Sequence, residues 1–202
     1  MMSRRARIPG RPAHRRSQRT RRQTARPRRP CYPVEVEQQI RLFRYIERVS
    51  KLTGRDEAWR ILEELVTEKR LGWLSRRRIV SAAEPNPIER AFDLFYRQYL
   101  AAADDELEII EKKPDRIVVR CRNPCPTLEA CQTLGMDTRF VCRKAYELPT
   151  QIFLRRIDPG LRFIRNYHRI RPYAEFCEET IQLAREPERS TRRRTTRPLH
   201  GG

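Results

Sequence analysis

Four of the six cysteines in this 202-residue chain fall between Val119 and Cys142, and their chemistry poses the first question. Cys125 is the sharpest of them. It lies between Pro124 and Pro126, just ahead of a short amphipathic run that stops at Gly135. A proline at the first helical position and a glycine behind the last turn punctuate a short helix, which places Cys125 at the N-cap. There the free backbone N–H groups and the positive end of the helix dipole favour a thiolate over a thiol. Cys125 is therefore a candidate nucleophile or metal ligand. The plain alternative is a small buried hydrophobe, the ordinary state of a free cysteine. Cys121 and Cys131 read as packing residues, because strand alternation and helical spacing put both on apolar faces. Cys142 and Cys177 flank the ends of expected elements, where a fold can gather them around Cys125.

Two chemistries follow. As ligands, Cys125, Cys142 and Cys177 with one further donor would suit zinc or an iron–sulfur cluster. The intervals after Cys121, of 3, 5, 10 and 34 residues, match no paired zinc knuckle and no ferredoxin run. As a nucleophile, Cys125 needs a base, and outside the tails the chain has one histidine, His168. Glu178 directly follows Cys177, and a carboxylate beside a thiol can orient a water or a substrate amine. Cys125, His168 and Glu178 are thus the catalytic candidates. Guanidinium groups pair carboxylates bidentately, so the strand arginines are candidates for holding an anionic small molecule. Arg122, Arg162 and Arg165, with Tyr167, are the substrate-binding candidates. The sequence has no phosphate-cradling glycine loop, no H-E-x-x-H and no G-x-S-x-G, so nucleotide hydrolysis, zinc proteolysis and the usual serine chemistry find no support.

The elements that must position these residues are legible from periodicity. Val36, Ile40, Phe43, Ile46 and Val49 recur at three and four residues and predict a helix that ends at Gly54. A second helix is expected from Asp56 as N-cap, with Ala58, Ile61, Leu62, Leu65 and Val66 as its apolar stripe. Residues 84–87 read as a linker, and a third helix is expected from about Ile88 to Ala103 with a core stripe of Phe92, Phe95, Tyr96 and Tyr99. Leu107 to Glu111 and Arg116 to Cys121 then alternate as a β-hairpin around Lys112–Asp115. Short helices are expected from Pro126 to Leu134 and from about Thr138, the latter interrupted at Pro149, with Thr150 capping a last turn. Leu161 to Leu183 reads as a second hairpin carrying Tyr167 and His168 on its first strand. The expectation is an α+β fold: N-terminal helices, a β-hairpin, two or three short helices and a C-terminal β-hairpin, forming one antiparallel sheet.

The formal charge of +19 suggests a polyanionic partner until it is located. Met1 to Pro30 holds twelve arginines and no acid, and Arg189 to Gly202 adds five more arginines. Between Cys31 and Glu188, 28 basic residues face all 26 acidic ones. The basicity belongs to the tails. Residues 1–33 and 186–202 have too little apolar content to offset ordering entropy and are expected to be disordered. Residues 34–185 make a single domain, with a helical part over 34–84 and a cysteine-containing part over 88–183. Nucleic-acid association through the tails by counterion release is one expectation they raise. With no long apolar run there is no spanning helix and no secretory leader, so a cytoplasmic, reducing setting is expected, in which cysteines serve packing, metal binding or catalysis before disulfides.

Asn123-Pro124-Cys125-Pro126, Gly135, Cys142, the run Asp158-Pro159-Gly160-Leu161-Arg162-Phe163 with Arg165, and Phe176-Cys177 together resemble the pattern of the L-2-amino-thiazoline-4-carboxylic acid hydrolase-like proteins. The resemblance spans about residues 119–181. It implies an α+β domain with a ligand pocket and, for the namesake enzyme, hydrolytic opening of a thiazoline ring. By position, Cys125, Cys142 and Cys177 take the places of the family's cysteines, and Arg162 and Phe163 that of its strand motif. One departure stands out: Pro172-Tyr173-Ala174-Glu175 replaces a Gly-Asp turn before the last cysteine, and a shared fold does not by itself bring the same substrate. The leading expectation is a small-molecule-binding hydrolase-like domain acting on carbon–nitrogen bonds of an amino-acid-like or heterocyclic substrate through the Cys125 thiolate. The alternative is a non-enzymatic metal or redox sensor built from the same cysteines.

Overall fold

Glycine at position 54 sets the start of the helical layer. Its backbone takes φ 89°, which is open to glycine and strained for other residues, so the chain can end one helix and begin another with no loop between. Helix α1 spans Tyr32–Thr53 and helix α2 spans Arg55–Ser75. Gly54, not Asp56, is the N-cap of α2; Asp56 sits in the first turn, where its charge complements the dipole. The computed structural model describes residues 32–77 and 86–184. Residues 1–31 of the N-terminal tail, the C-terminal tail, and residues 84 and 85 of the expected linker lie outside the described residues. Ile40, Phe43 and Ile46 of α1 and Ala58, Leu62 and Val66 of α2 are buried, as their spacing predicts, whereas Leu65 is exposed.

Helix α3 (Pro87–Phe92) begins with Pro87 at its first position, and the Asn86 side chain accepts the Ile88 N–H at 2.8 Å. The third helix is shorter than expected. It widens into a π-helical turn over Asp93–Tyr99 and stops there, with Leu100 N–H donating to the Phe95 carbonyl at 2.9 Å. Phe92, Phe95 and Tyr96 are all buried. A 3-10 turn, Asp104–Glu106, leads into strand β1 (Leu107–Lys113), which pairs with β2 (Arg116–Cys121) around Pro114 and Asp115. A bulge between Ile109 and Glu111 shifts the register on that edge.

The middle of the chain is helical: α4 (Pro126–Leu134), then α5 (Thr138–Cys142), a π-helical turn Arg143–Glu147, and α6 (Leu148–Ile157). Pro149 does not break this helix, in contrast to the sequence expectation. Proline removes one intrahelical N–H and crowds the preceding turn, and the π-helical turn immediately before α6 is the kind of local widening that accommodates it. Thr150 is accordingly mid-helix, its hydroxyl donating to the Tyr146 carbonyl at 2.6 Å. Strand β3 (Leu161–Arg165) and strand β4 (Cys177–Leu183) complete the sheet in the order β1-β2-β4-β3, all antiparallel. The fold is α+β. Tyr167 and His168 fall in the 166–176 connection, not on a strand, and β4 starts at Cys177.

Two buried clusters share helix α2. One joins Ile117, Val119, Cys121, Phe163 and Ile181 of the sheet to Phe95, Tyr96, Phe153 and Leu154. The other joins the inner faces of α1 and α2 to Ala130, Cys131, Val141 and Ala145. Val66 belongs to the second cluster and Leu74 to the first. Arg70, one helical turn from each, lies where the clusters meet.

Candidate functional site: interior thiols among buried guanidinium groups

Local sequence delivers each thiol to this junction. β2 ends at Cys121, and Arg122–Pro124 carries the chain to Cys125, which is the N-cap of α4 with extended φ −125° and ψ 103°. Pro126 follows at the first helical position, and Gly135 closes the helix in the left-handed region at φ 65°. Cys142 ends α5, whose N-cap Asp137 accepts the Arg139 N–H at 2.8 Å. Cys177 opens β4 directly opposite Cys121. All five described cysteines are free thiols.

Side-chain alternation then decides which charges face them. On β3 the residues Leu161, Phe163 and Arg165 share one side, and on β4 the residues Cys177, Glu179 and Ile181 share the same inner side. The Arg165 side chain is 8% exposed and meets Glu179 through Nε at 2.7 Å and Nη2 at 2.6 Å, both to Oε1. The hydroxyl of Tyr96, fully buried, donates to the other Glu179 oxygen at 2.8 Å. Arg171 returns from the 166–176 connection behind the buried Ile170, with Nη2 3.5 Å from Asn123 Oδ1. Cys121 Sγ donates to that same oxygen at 3.1 Å. Arg70, 5% exposed, donates to the Tyr146 carbonyl at 3.1 Å and to the Thr150 hydroxyl, and lies over the rings of Phe95, Tyr99 and Tyr146.

The electrostatics are dominated by removal from water. Burial raises the Cys125 thiol; the Leu128 N–H inside the first turn of α4, together with Arg171 and Arg165, pulls in the opposite direction without reversing the shift. Burial also pushes Cys142 up to about 12, again against the pull of Arg165. Cys121 and Cys131 are raised to about 12 for the same reason. Cys125 and Cys142 are therefore thiols at neutral pH, where the N-cap position alone predicts a thiolate at Cys125. Burial opposes the charge of Arg165 too, but Glu179, Cys142 and Tyr167 outweigh it. For Arg171 the sulfurs of Cys177 and Cys125 do the same. Arg70 has no carboxylate to compensate, and burial lowers its pKa.

These three guanidinium groups are not fully used. Arg70 Nε, Arg165 Nη1 and Arg171 Nε are buried nitrogens with no hydrogen-bond acceptor. A buried N–H left unpaired costs about 1–3 kcal/mol, more when the group is charged. Arg165 and Arg171, two cations with unfilled donors beside thiols, with Arg70 near Arg165, make a charge arrangement suited to an anion.

Other sequence candidates lie elsewhere. Glu178 faces the opposite side of the sheet from Cys177 and Glu179, where its carboxylate accepts from Arg120 at 3.1 Å, Arg169 at 3.1 Å and Asn166 at 2.9 Å. His168 is exposed on the connection, its backbone N–H bonded to Asn166 Oδ1 at 3.1 Å. Arg122 is exposed and paired with Glu108 at 3.0 Å, and Arg162 donates to the carbonyls of Pro159 and Leu161. Tyr167 does join the site's rim: its hydroxyl donates to Glu147 at 2.5 Å, and burial, then that hydrogen bond, raises its pKa. Among the described residues no group of three or more His, Cys, Asp or Glu side chains is arranged to hold a metal ion. Cys125, Cys142 and Cys177 are electrostatic neighbours but not a ligand set for zinc or an iron–sulfur cluster.

Arg70 and Tyr146 escape a reading based on cysteine and strand motifs. A signal for Arg70 exists: it occupies the every-fourth-residue stripe Ala58, Leu62, Val66, Arg70, Leu74, where a charge is out of place. Tyr146, whose hydroxyl accepts from Gln39 at 2.9 Å, carries no comparable mark. No described helix is long and apolar enough to cross a membrane. Compared with protein-family models, curated proteins and solved structures, the chain matches none.

Proposed function

We propose that the chain binds a small carboxylate-bearing molecule at the interior thiols and hydrolyses a carbon–nitrogen bond in it, with Cys125 as the nucleophile. The observation that carries this reading is the unfilled Arg165 Nη1, buried beside Cys142 and Cys125. A substrate carboxylate there would fill donors that the protein leaves vacant, and would set the adjacent carbon–nitrogen bond against the thiol. Cys125 Sγ adds to the electrophilic carbon and its proton passes to the nitrogen, which leaves as the carbon–nitrogen bond breaks. Water then attacks the acyl carbon of the thioester, and the carbon–sulfur bond breaks as the acid is released and the sulfur takes back a proton, restoring the thiol. Arg165 and Arg171 bind and orient; Tyr167 and Glu147 line the rim.

The test is turnover of 2-amino-thiazoline-4-carboxylate and a panel of small amino-acid amides by the full chain and by Cys125→Ser. Loss of turnover with an unchanged circular dichroism spectrum and melting profile is expected for the variant. An active Cys125→Ser protein removes Cys125 from the nucleophile role.

A further inference from the structure

Cys121 and Cys177 occupy directly opposite positions at the end of the β2–β4 ladder, on the inner face of the sheet. Backbone hydrogen bonds fix the kind of pair they form. Arg122 N–H bonds the Glu106 carbonyl, on the β1 side, so the polar groups of Cys121 turn toward β4. Glu178 donates to the Arg169 carbonyl and accepts from the Asn166 N–H, on the β3 side, so those of Cys177 turn toward β2. Two residues that face each other in this way stand with Cα atoms about 5.5 Å apart, inside the range of about 4.4–6.8 Å that a disulfide spans. Direct opposition also puts both side chains on one side of the sheet.

The two thiols are not equivalent. Cys177 is half-buried and Cys121 is buried, its Sγ hydrogen held by Asn123 at 3.1 Å. Arg171 sits beside both, hydrogen-bonded to the Asn123 oxygen and interacting with the Cys177 sulfur. A reachable sulfur beside a guanidinium is the electropositive, partly exposed setting in which cysteines meet peroxides.

The geometry points to Cys177 and Cys121 as a redox pair, in which a hydroperoxide oxidises Cys177 and Cys121 then closes a cross-strand disulfide. Attack of the Cys177 sulfur on hydrogen peroxide breaks the O–O bond, leaving a sulfenic acid and releasing water. The Cys121 sulfur displaces the sulfenic oxygen, which leaves as water with the Cys121 proton. The peroxide is reduced and the two thiols are oxidised by the same two electrons. Thiol reductants reverse the change. The pair stands whether or not the chain is a hydrolase, because neither sulfur is the proposed nucleophile. It bears on that site all the same: the Cys177 sulfur that Arg171 contacts becomes part of a bridge, next to Cys125.

The experiment treats the full chain with stoichiometric hydrogen peroxide, blocks residual thiols with N-ethylmaleimide and maps cross-linked peptides by mass spectrometry before and after reduction. The expected result is the loss of two titratable thiols per chain and one linked pair joining Cys121 to Cys177. In Cys121→Ala the link is absent and Cys177 is trapped as a sulfenic acid by dimedone. If burial makes that variant fold poorly, Cys177→Ala at the half-buried position carries the test, and it should retain all its remaining thiols under the same treatment. A link between Cys125 and Cys177, a link through Cys31 between chains, or unchanged thiol loss in Cys177→Ala each overturns the assignment.

Discussion

Replacing Arg165 by Met tests whether the site is a dry interior or a wet cleft. The substitution keeps the stem's packing and removes a guanidinium that meets Glu179 at 2.6 and 2.7 Å. What remains around the carboxylate is the Tyr96 hydroxyl at 2.8 Å, and Glu179 is 5% exposed. Breaking a pair buried to this degree leaves an uncompensated charge and costs about 3–5 kcal/mol. For a chain of this size each kcal/mol lowers the melting temperature by about 2–4 °C, so the loss is roughly 10 °C. Urea unfolding followed by the emission of Trp59 and Trp73 measures it directly.

The double-mutant cycle sharpens the result. Glu179→Gln alone strands Arg165, which already faces the like charge of Arg70. The double variant strands neither, so the two single losses should fall short of additivity by about 2–3 kcal/mol. Arg165→Lys keeps a charge but cannot present a fork, and it should recover part of the stability while losing affinity for a carboxylate. Single losses below about 1 kcal/mol, or an additive cycle, would mean that water already screens the pair, and the argument from unfilled buried donors would fail with it.

Further tests follow from the other buried groups. Burial holds Cys121 and Cys142 at about 12, against 9.0 for a free thiol, so both states are protonated below about pH 9 and stability is constant there; between about 9 and 12 the unfolded chain loses these protons first, and stability falls by on the order of a few kcal/mol. Melting curves across that range should show a decline that Cys121→Ala reduces, and a flat profile would contradict the burial of the thiols. Arg70→Met replaces a buried cation without a carboxylate partner by an apolar side chain, so it should leave the melting temperature unchanged or raise it while weakening carboxylate binding; a loss of several kcal/mol would make Arg70 a structural residue. Cys125→Ser turnover and the peroxide cross-link complete the set.

Much of this architecture is written in local sequence. Pro126 and Gly135 bound α4 to the residue, because proline at a first position and glycine in the left-handed region are local requirements. The strand Arg116–Cys121 is equally legible from alternation. The π-helical turns are not, since a widened turn answers packing against partners far away in sequence; Phe95 and Tyr96 are both needed in the core, and Pro149 must be accommodated. The site divides in the same way. Arg165 and the inner-face thiols follow from strand parity, whereas the choice between Glu178 and Glu179 turns on one residue of register, which places one in the site and the other on the far face. Arg171 reaches the thiols, and Arg70 reaches Tyr146 and Thr150, through long-range packing that no short motif encodes.

The protonation state of Cys125 shows why position alone misleads. A helix N-terminus stabilises a negative charge by about 0.3–1 kcal/mol when exposed and up to ~2 kcal/mol when partly buried. Burial that holds the neighbouring Cys142 at about 12, against 9.0, corresponds to about 4 kcal/mol against ionisation. Desolvation outweighs the dipole, and Arg165 and Arg171 narrow the gap without closing it. A resting thiolate would also occupy the guanidinium groups that a carboxylate needs. A neutral Cys125 leaves them free, and in the proposed reaction it would carry its own proton to the leaving nitrogen, so that reaction would not require His168, which stands exposed on the connection after β3. The same burial that denies Cys125 a thiolate would keep Arg165 and Arg171 available for the carboxylate of the proposed substrate.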